Sequence, residues 1–229
     1  MDLKKQAAAK ALTYIEDKAI VGLGAGATIG HLVGLLADKV RNGLEVTVLT
    51  SSFTTHRLLL ENGFLIRSTA EFDAIDIYLD GCDQLDKNLN ALKSGGGIHT
   101  HEKLLASMAR RFILVGDESK YSEHFDTGYP LVIEFLPEAW LFLNASIQKM
   151  FPGAKNILRM NDKKDGPVIT ANGNYLLDVW FSAWPHLHTI NTSVKMITGV
   201  VETSLFYNLA HQAILAGNDG IRILERGNG

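Results

Sequence analysis

Carboxylates, a lysine and three consecutive glycines lie together in one short stretch of the sequence. The carboxylates are Asp80, Asp83 and Glu102, the lysine is Lys93, and the glycines are Gly95, Gly96 and Gly97. Proton transfer next to a carbonyl group needs a carboxylate base and a cationic or hydrogen-bonding group for the developing oxyanion. Taken singly, these residues are typical of a capped turn or a solvated helix face. Their combination favours proton-transfer chemistry that needs no cofactor.

The stretch lies where a predicted strand is followed by a predicted helix. Residues 75–79 alternate in polarity and are rich in β-branched side chains, which indicates a strand, and residues 103–109 have helical spacing. Ligands of open α/β sheets bind at the carboxyl ends of the strands. The glycines let backbone N–H groups approach a ligand closely. We therefore expect the charged cluster at the ligand-binding edge of a sheet.

A glycine loop near the N-terminus suits an anion. Residues 19–23 are predicted to form a strand, Gly24-Ala25-Gly26-Ala27 follows, and Thr28 opens a helix that runs to Val40. The N–H groups and the dipole at a helix N-terminus attract an anion. From Gly22 onwards the loop also fits a dinucleotide fingerprint, but Thr50 or Ser51 stands where that site needs an acidic residue. A phosphate-binding loop is the favoured interpretation, and a plain structural turn remains the alternative.

Strands and helices alternate through the first half of the chain, which predicts a Rossmann-like α/β fold with a mostly parallel sheet. The pattern changes near Tyr129, where a small α+β domain is predicted to be inserted. Its elements include a hairpin of residues 168–170 and 175–181 around an Asn-Gly turn. Residues 199–206 and 220–224 are predicted to be final strands that return to the main sheet. The predicted domains are therefore residues 1–128 with 199–229, and residues 129–198.

Composition excludes several classes of protein. The 229 residues have a formal net charge of -3, which favours neither a nucleic-acid partner nor a membrane surface. The most apolar window, residues 130–147, contains Glu134, Pro137 and Glu138, which argues against a membrane span. The single cysteine allows no internal disulfide, and the N-terminus lacks the apolar core of a signal peptide. We expect a cytoplasmic protein.

The histidines do not form a convincing metal site. His99 and His101 alternate, as do His186 and His188, but no third ligand is obviously placed. Exposed histidines without a metal are the favoured interpretation, so no metal is expected. Cys82 lies close to two aspartates, which would raise the pKa of its thiol, and a small filler residue is the favoured interpretation.

Five motifs together resemble the ribose-5-phosphate isomerase A family. Five segments of this chain are similar to motifs of the family, which read D-G-A-D-E, K-G-G-G-A, T-R-E-K, S-K and N-G-N-x-x-x-D. These are Asp80-Gly81-Cys82-Asp83-Gln84, Lys93-Ser94-Gly95-Gly96-Gly97, Thr100-His101-Glu102-Lys103, Ser119-Lys120, and Asn172-Gly173-Asn174 through Asp178. The order and spacing agree over most of the chain.

The resemblance implies an activity, an assembly and a set of site residues. The family interconverts ribose 5-phosphate and ribulose 5-phosphate, in the non-oxidative branch of the pentose phosphate pathway, without a metal or other cofactor. It implies a homodimer or larger homo-oligomer that binds a small sugar phosphate. Glu102 would move the proton through an enediol, Asp80 would help open the sugar ring, and Asp83 and Lys93 would hold the hydroxyls and the oxyanion. Thr28, Lys120 and Lys4 would help bind the phosphate group. The other residues expected to bind the substrate are Gly24, Gly26, Gly95, Gly96 and Gly97.

Two departures from the family pattern leave alternatives open. The family's phosphate loop is commonly G-T-G-S-T, so two hydroxyl groups are missing at Ala25 and Ala27, and Gln84 replaces the usual Glu. A lost hydrogen bond to a charged group weakens binding by about ten- to a hundredfold unless backbone or water replaces it. A paralogue with altered sugar specificity and a non-catalytic sugar-phosphate sensor domain are therefore the alternatives to an active isomerase.

Overall fold

The structure, a computed structural model, describes residues 2–227 and divides into two compact units. The first unit contains residues 2–82, 101–121 and 208–227, and the second contains residues 83–100 and 122–207. The second unit therefore holds more of the chain than the predicted insertion at residues 129–198. The reason is strand pairing, because short strands near residues 84 and 92 pair with each other and with a strand at Leu205–Phe206.

Within residues 2–227, the first unit contains a six-stranded sheet. Its strands are β1 (Ile20–Leu23), β2 (Thr47–Thr50), β3 (Ile75–Asp80), β6 (Ala109–Asp117), β12 (Gln212–Gly217) and β13 (Gly220–Glu225). Their order is β13-β12-β6-β3-β1-β2, and every neighbouring pair is parallel except β12 with β13. The predicted α/β class with a mostly parallel sheet is confirmed.

Helices follow the strands of the first unit in the expected alternation. They are α1 (Leu3–Leu12), α2 (Ala27–Arg41), α3 (Phe53–Glu61) and α4 (His99–Met108), whose first two residues belong to the second unit. The Asp2 side chain caps α1 by accepting a hydrogen bond from the Lys5 N–H group at 3.2 Å. Small residues of α1 (Ala7, Ala8 and Ala11) pack into a core that also contains the buried side of α2 and the strands β1 and β3.

The second unit is built on antiparallel strands. One sheet has the order β10-β7-β9-β8 and a smaller one the order β11-β5-β4. These strands are β4 (Gln84–Leu85), β5 (Ala91–Leu92), β7 (Leu131–Phe135), β8 (Lys155–Leu158), β9 (Tyr175–Trp180), β10 (Val200–Thr203) and β11 (Leu205–Phe206). The helices α5 (Trp140–Met150) and α6 (Leu187–Thr189) accompany them, and a π-helical turn (Ile190–Val194) continues α6. Buried residues of β7, β9 and α5 form the core of this unit.

Two strand predictions are wrong. Residues 168–170 are not a strand, because Val168 donates its N–H group to Arg159 O and Thr170 closes a turn with Asn174, so that β9 pairs with β7 and β8 instead. Residues 199–206 do not return to the main sheet, since β10 pairs with β7 and β11 with β5. The strands that do return are β12, which the sequence analysis missed, and β13, which it predicted at residues 220–224.

The composition of β12 explains why it was missed. Three of its six residues are Ala213, Ala216 and Gly217, which lack the β-branched character by which strands are recognised. The strand is buried along its whole length between β6 and β13. No helix of the described residues has both the length and the apolarity needed to cross a membrane.

Candidate active site

The glycine loop of the first unit is packed tightly against the end of β3. A Cβ atom on Gly24 would lie 1.9 Å from the carboxyl carbon of Asp80, so only glycine fits. Gly24 donates its N–H group to Leu79 O at 2.9 Å, and its own carbonyl accepts a hydrogen bond of 2.7 Å from the Thr55 hydroxyl. The loop is thus fixed to β3 and to α3 by bonds to its backbone.

The loop leads directly into the N-terminus of α2. Gly26 is the N-cap residue, and its φ of 98° lies in the region that favours glycine. It offers no side chain to cap the helix, while Gly26 and Ala27 are exposed and Thr28 is buried in the first turn. The first-turn N–H groups of this 15-residue helix are suited to an anionic ligand.

Asp80 is completely buried and accepts hydrogen bonds on both carboxylate oxygens. Its Oδ1 accepts from the N–H groups of Ala25 at 3.0 Å and Gly81 at 2.7 Å. Its Oδ2 accepts a hydrogen bond of 2.6 Å from the Tyr78 hydroxyl. Two elements of the unit, the glycine loop and the end of β3, are therefore held by one side chain. Such bonds to a charged acceptor are stronger than bonds between neutral groups.

Glu102 lies in the first turn of α4 and is almost completely buried. Its negative charge acts on the Tyr78 hydroxyl together with that of Asp80. Burial is the main cause that raises the pKa of Tyr78 well above its ordinary value, and the charges of Asp80 and Glu102 raise it further. The first unit thus places two carboxylates within electrostatic reach of one neutral phenol.

The predicted lysines of the first unit occupy different elements. Lys120 ends a short 3₁₀ helix (Glu118–Lys120) that follows the carboxyl end of β6, and its stem passes over Gly116. Asp117 holds this turn by accepting a hydrogen bond of 3.1 Å from the Ser119 N–H group. Lys4 lies exposed in the first turn of α1. The end of β6 is the same edge of the parallel sheet as the end of β3, because the two strands are parallel neighbours.

The second unit contains Asp83, Lys93 and the three glycines. Asp83 accepts hydrogen bonds from the N–H groups of Ser94 at 2.6 Å and Gly95 at 3.0 Å, which fixes the start of the glycine segment. Lys93 is buried, and its ammonium group lies 5.9 Å from the centre of the Phe206 ring. Gly95 and Gly96 are exposed. This unit therefore holds a carboxylate, an ammonium group and exposed glycine backbone in one segment.

An arginine that the sequence analysis did not single out supports that segment. Arg159 donates to Ser94 O at 2.8 Å and to Gly95 O at 3.2 Å. Asp178 holds the same guanidinium group through bonds of 2.6 to 3.1 Å to its Nε and Nη2 atoms. Asp178 is the last residue of the family's N-G-N-x-x-x-D motif. A carboxylate in that motif indicates a positively charged side chain nearby, and Arg159 is that side chain.

Glu134 is a second residue whose role the sequence did not reveal. It is 1% exposed, and its carboxylate accepts hydrogen bonds from four side chains, those of Thr100, Thr170, Asn172 and Asn174. Burial alone would raise the pKa of Glu134, but these four bonds outweigh it and lower the pKa below its ordinary value. The ionised carboxylate thus joins the Asn-Gly turn to the first turn of α4.

Gln84 contacts an aspartate, which accounts for its neutral side chain. Its Nε2 donates to the Asp126 carboxylate at 2.5 Å, and its Oε1 accepts from the Asp126 N–H group at 3.1 Å. A glutamate at this buried position would place a second negative charge beside the exposed Asp126 carboxylate, and the two charges would repel each other. The departure from the family pattern at Gln84 is therefore matched by its neighbour.

The expectation of exposed histidines is wrong for one of them. His99 is buried, and its Nε2 lies 3.3 Å from Glu202 O, whereas His101, His186 and His188 are exposed. Among the residues that the structure describes, no group of three or more His, Cys, Asp and Glu side chains is arranged to hold a metal ion.

Comparison with known proteins gives one consistent result. The sequence profile of ribose 5-phosphate isomerase A (phosphoriboisomerase A) matches residues 47–220. The chain is 38% identical to ribose-5-phosphate isomerase A of Methanothermobacter thermautotrophicus and 35% identical to that of Pyrococcus abyssi, with 98% of each chain covered in both comparisons.

Solved structures agree with the sequence comparison. A D-ribose-5-phosphate isomerase in complex with phospho-erythronic acid is 35% identical and superposes with a TM-score of 0.92, covering 98% of both chains. The ribose 5-phosphate isomerase of Plasmodium falciparum is 30% identical and superposes with a TM-score of 0.91, also covering 98% of both chains.

The fit between Gly24 and Asp80 predicts the effect of adding one methyl group. Gly24→Ala should lower the free energy of unfolding by about 1–3 kcal/mol, because the new Cβ atom collides with a carboxylate that three donors hold in place. The matched control is Gly34→Ala, since Gly34 lies within α2 and its Cβ atom would meet open space. That change should stabilise the protein by up to about 1 kcal/mol. Urea unfolding measures both, and equal effects would contradict the packing described.

The lowered pKa of Glu134 predicts a pH-dependent contribution to stability. A depressed carboxyl pKa means that the stabilisation is present above the ordinary value of 4.5 and is lost as the pH falls through the folded-state pKa. Glu134→Gln should therefore cost about 2 kcal/mol near pH 7, and the difference from wild type should shrink toward pH 3. Urea unfolding across this range measures it. Glu138→Gln, at an exposed site nearby, is the control, and a difference for Glu134→Gln that stays constant with pH would contradict the prediction.

Proposed function

The chain belongs to the ribose 5-phosphate isomerase A family, and we propose that it interconverts ribose 5-phosphate and ribulose 5-phosphate as an aldose–ketose isomerase. This reaction belongs to the non-oxidative branch of the pentose phosphate pathway. The single observation that carries the proposal is the first unit, where a buried glutamate, a buried aspartate and a glycine loop that opens a helix occur together. A sugar phosphate needs both an anion site and a proton carrier, and this unit offers candidates for both.

The phosphate group is assigned to the loop and the N-terminus of α2. Gly24 and Gly26 shape the loop, while the N–H groups of the first turn and the Thr28 side chain supply hydrogen-bond donors. Lys120 and Lys4 supply positive charge. A relative of 35% identity binds phospho-erythronic acid, a phosphorylated sugar acid, and this supports the assignment of a phosphorylated ligand to the present chain.

The proton transfer is assigned to Glu102. In the open-chain aldose, its carboxylate takes the proton from carbon 2, and the electron pair left there forms the double bond of an enediol as the aldehyde oxygen gains a proton. The enediol then loses the proton of its carbon-2 hydroxyl and takes the proton from Glu102 at carbon 1, which gives the ketose. No net oxidation occurs, so the step needs no electron acceptor.

The remaining charged groups are assigned to the oxygens of the sugar. Lys93 stabilises the negative charge that develops on the carbonyl oxygen, and Asp83 with the backbone of Gly95, Gly96 and Gly97 orients the hydroxyl groups. Asp80 assists opening of the sugar ring. Two observations support the roles of Asp83 and Lys93. Asp83 accepts hydrogen bonds from the start of the glycine segment, and Lys93 is buried directly before that segment.

Ala25 and Ala27 favour a second candidate function, a paralogue with altered sugar specificity. Ala27 is exposed at the start of α2, where the family commonly has a hydroxyl side chain. The Ala25 N–H group already donates to Asp80 and therefore cannot point at a phosphate at the same time. Weaker phosphate binding would narrow the preference for phosphorylated over unphosphorylated sugars.

One assay tests the leading function against this second candidate. Purified protein in the presence of a chelator, with no added cofactor, should convert ribose 5-phosphate to ribulose 5-phosphate. The ratio of kcat/KM for ribose 5-phosphate to that for ribose should exceed about a hundredfold, because a bound phosphate contributes several charge-assisted hydrogen bonds. A ratio near one would favour altered specificity, and binding without turnover would favour a sensor domain.

The same assay tests the role of Glu102. Glu102→Gln should reduce kcat by at least about a hundredfold, because the amide cannot accept the proton, while binding of phospho-erythronic acid is retained. Glu61→Gln, the same change on the exposed surface of α3, is the control and should turn over as wild type does. Near-normal turnover of Glu102→Gln would remove this residue from the role.

We further propose a cytoplasmic homo-oligomer. The support is that the sequence has one cysteine, so no internal disulfide can form, and that several large apolar side chains are exposed in the isolated chain, among them Phe53, Leu65, Leu141 and Phe142. Light scattering coupled to size-exclusion chromatography should give a mass of at least two chains, and a monomer at micromolar concentration would contradict the proposal.

A further inference from the structure

Tyr78 is a buried polar residue to which neither the sequence motifs nor the proposed reaction gives a role. Its ring is completely buried and lies 5.2 Å from the ring of Phe112, measured between centroids. Gly22 makes room for it, since a Cβ atom there would lie 2.8 Å from Tyr78 Cδ2. The ring is therefore confined on two sides, and its hydroxyl has a fixed position.

That fixed hydroxyl contacts the carboxylate that holds the glycine loop. Tyr78 donates to Asp80 Oδ2 at 2.6 Å, while Asp80 Oδ1 accepts from the Ala25 and Gly81 N–H groups. A carboxylate group is planar, so a bond that fixes one oxygen also limits rotation of the other. The position of Oδ1, and with it that of Ala25, therefore depends on the bond from Tyr78.

We propose that Tyr78 is a positioning residue that orients Asp80, and that Asp80 thereby holds the phosphate-binding loop in the geometry that binds a sugar phosphate. The inference rests on the proposed function for the identity of the ligand. It gives Asp80 a positioning role beside the ring-opening role assigned above. The loop connects Gly24 to the first turn of α2, so a shift at Ala25 moves the N–H groups that are assigned to the phosphate.

The protonation state of Tyr78 suits this task. Burial and the charges of Asp80 and Glu102 raise the pKa of Tyr78 well above its ordinary value, so the hydroxyl stays neutral and donates its proton to Asp80. An ionised phenol would instead repel the carboxylate. Phenylalanine preserves the ring and its packing but removes the donor, which makes Tyr78→Phe the cleanest change available.

The test compares ligand binding with turnover in Tyr78→Phe. Calorimetric titration with phospho-erythronic acid should give a Kd about tenfold higher than in wild type, because part of the binding free energy would then be needed to order the loop. KM for ribose 5-phosphate should rise by a similar factor, and kcat should fall by less than KM rises, since the ring-opening role of Asp80 also depends on its orientation. Tyr14→Phe is the matched control, because Tyr14 is a half-buried tyrosine of the same unit whose ring contacts Lys10 and Arg111. Its Kd and kcat should equal those of wild type.

Two results would overturn the proposal. One is a Kd for phospho-erythronic acid in folded Tyr78→Phe that equals the wild-type value. The other is a large fall in kcat at unchanged Kd, which would place Tyr78 in the chemical step. These results differ from a failure of the proposed function. In that case the wild-type protein would not convert ribose 5-phosphate, while the Kd of phospho-erythronic acid could still be compared between wild type and Tyr78→Phe.

A measurement on the wild-type protein keeps the proposal testable if Tyr78→Phe does not fold. The Ala25 amide proton should exchange slowly with solvent in the absence of ligand, because Asp80 holds it in a hydrogen bond. Exchange at the rate of a free loop amide would overturn the proposal.

Discussion

The close approach of the Asp80 carboxylate to Gly24 is the constraint on which the first unit depends. The space that a Cβ atom would occupy at Gly24 is filled by the carboxyl group, and that group in turn accepts a bond from the next residue of the loop. The loop therefore cannot take its observed course without both a glycine at 24 and a short acidic side chain at 80. A longer glutamate would reach beyond the Ala25 N–H group, and an uncharged side chain would hold the amides less strongly. Both packing and electrostatics therefore favour a glycine at position 24 and an aspartate at position 80.

The second unit uses buried carboxylates in a similar way. Glu134 accepts bonds from four side chains, and the Asp178–Arg159 pair reaches the carbonyl oxygens of Ser94 and Gly95. The bond between Glu134 and Thr100 ties the Asn-Gly turn to the last residues of the segment 83–100 in the same unit. Buried ion pairs and buried charges add little net stability on average, because desolvation opposes their attraction. Their effect here is to fix the position of backbone segments.

The sequence predicted the parts of the fold whose signals are local. The alternation in residues 75–79 and the glycine-to-helix boundary at residues 24–28 depend only on neighbours along the chain, and β3 and α2 were found correctly. Strand β12 and the pairing of residues 199–206 depend on partners far away in sequence, and these were missed or wrong. The same distinction between local and distant signals applies to the residues that position other groups. Tyr78 and Arg159 belong to no motif that a single sequence reveals, because their importance comes from atoms of distant segments such as Asp80 and Ser94.

The departures in the phosphate loop can be understood from these contacts. Ala25 loses a hydroxyl relative to the common family pattern, but its amide is bound to Asp80, so the loop keeps its course without that hydroxyl. Ala27 is different, because it is exposed in the first turn of α2, where a side-chain hydroxyl would face the ligand of the helix N-terminus. The backbone bond at position 25 does not depend on the side chain there, so the loop keeps its contact with Asp80. The change at position 27 removes a side-chain donor from the first turn of α2, so under the proposed function the N–H groups of that turn and the Thr28 side chain are the donors left there for the phosphate.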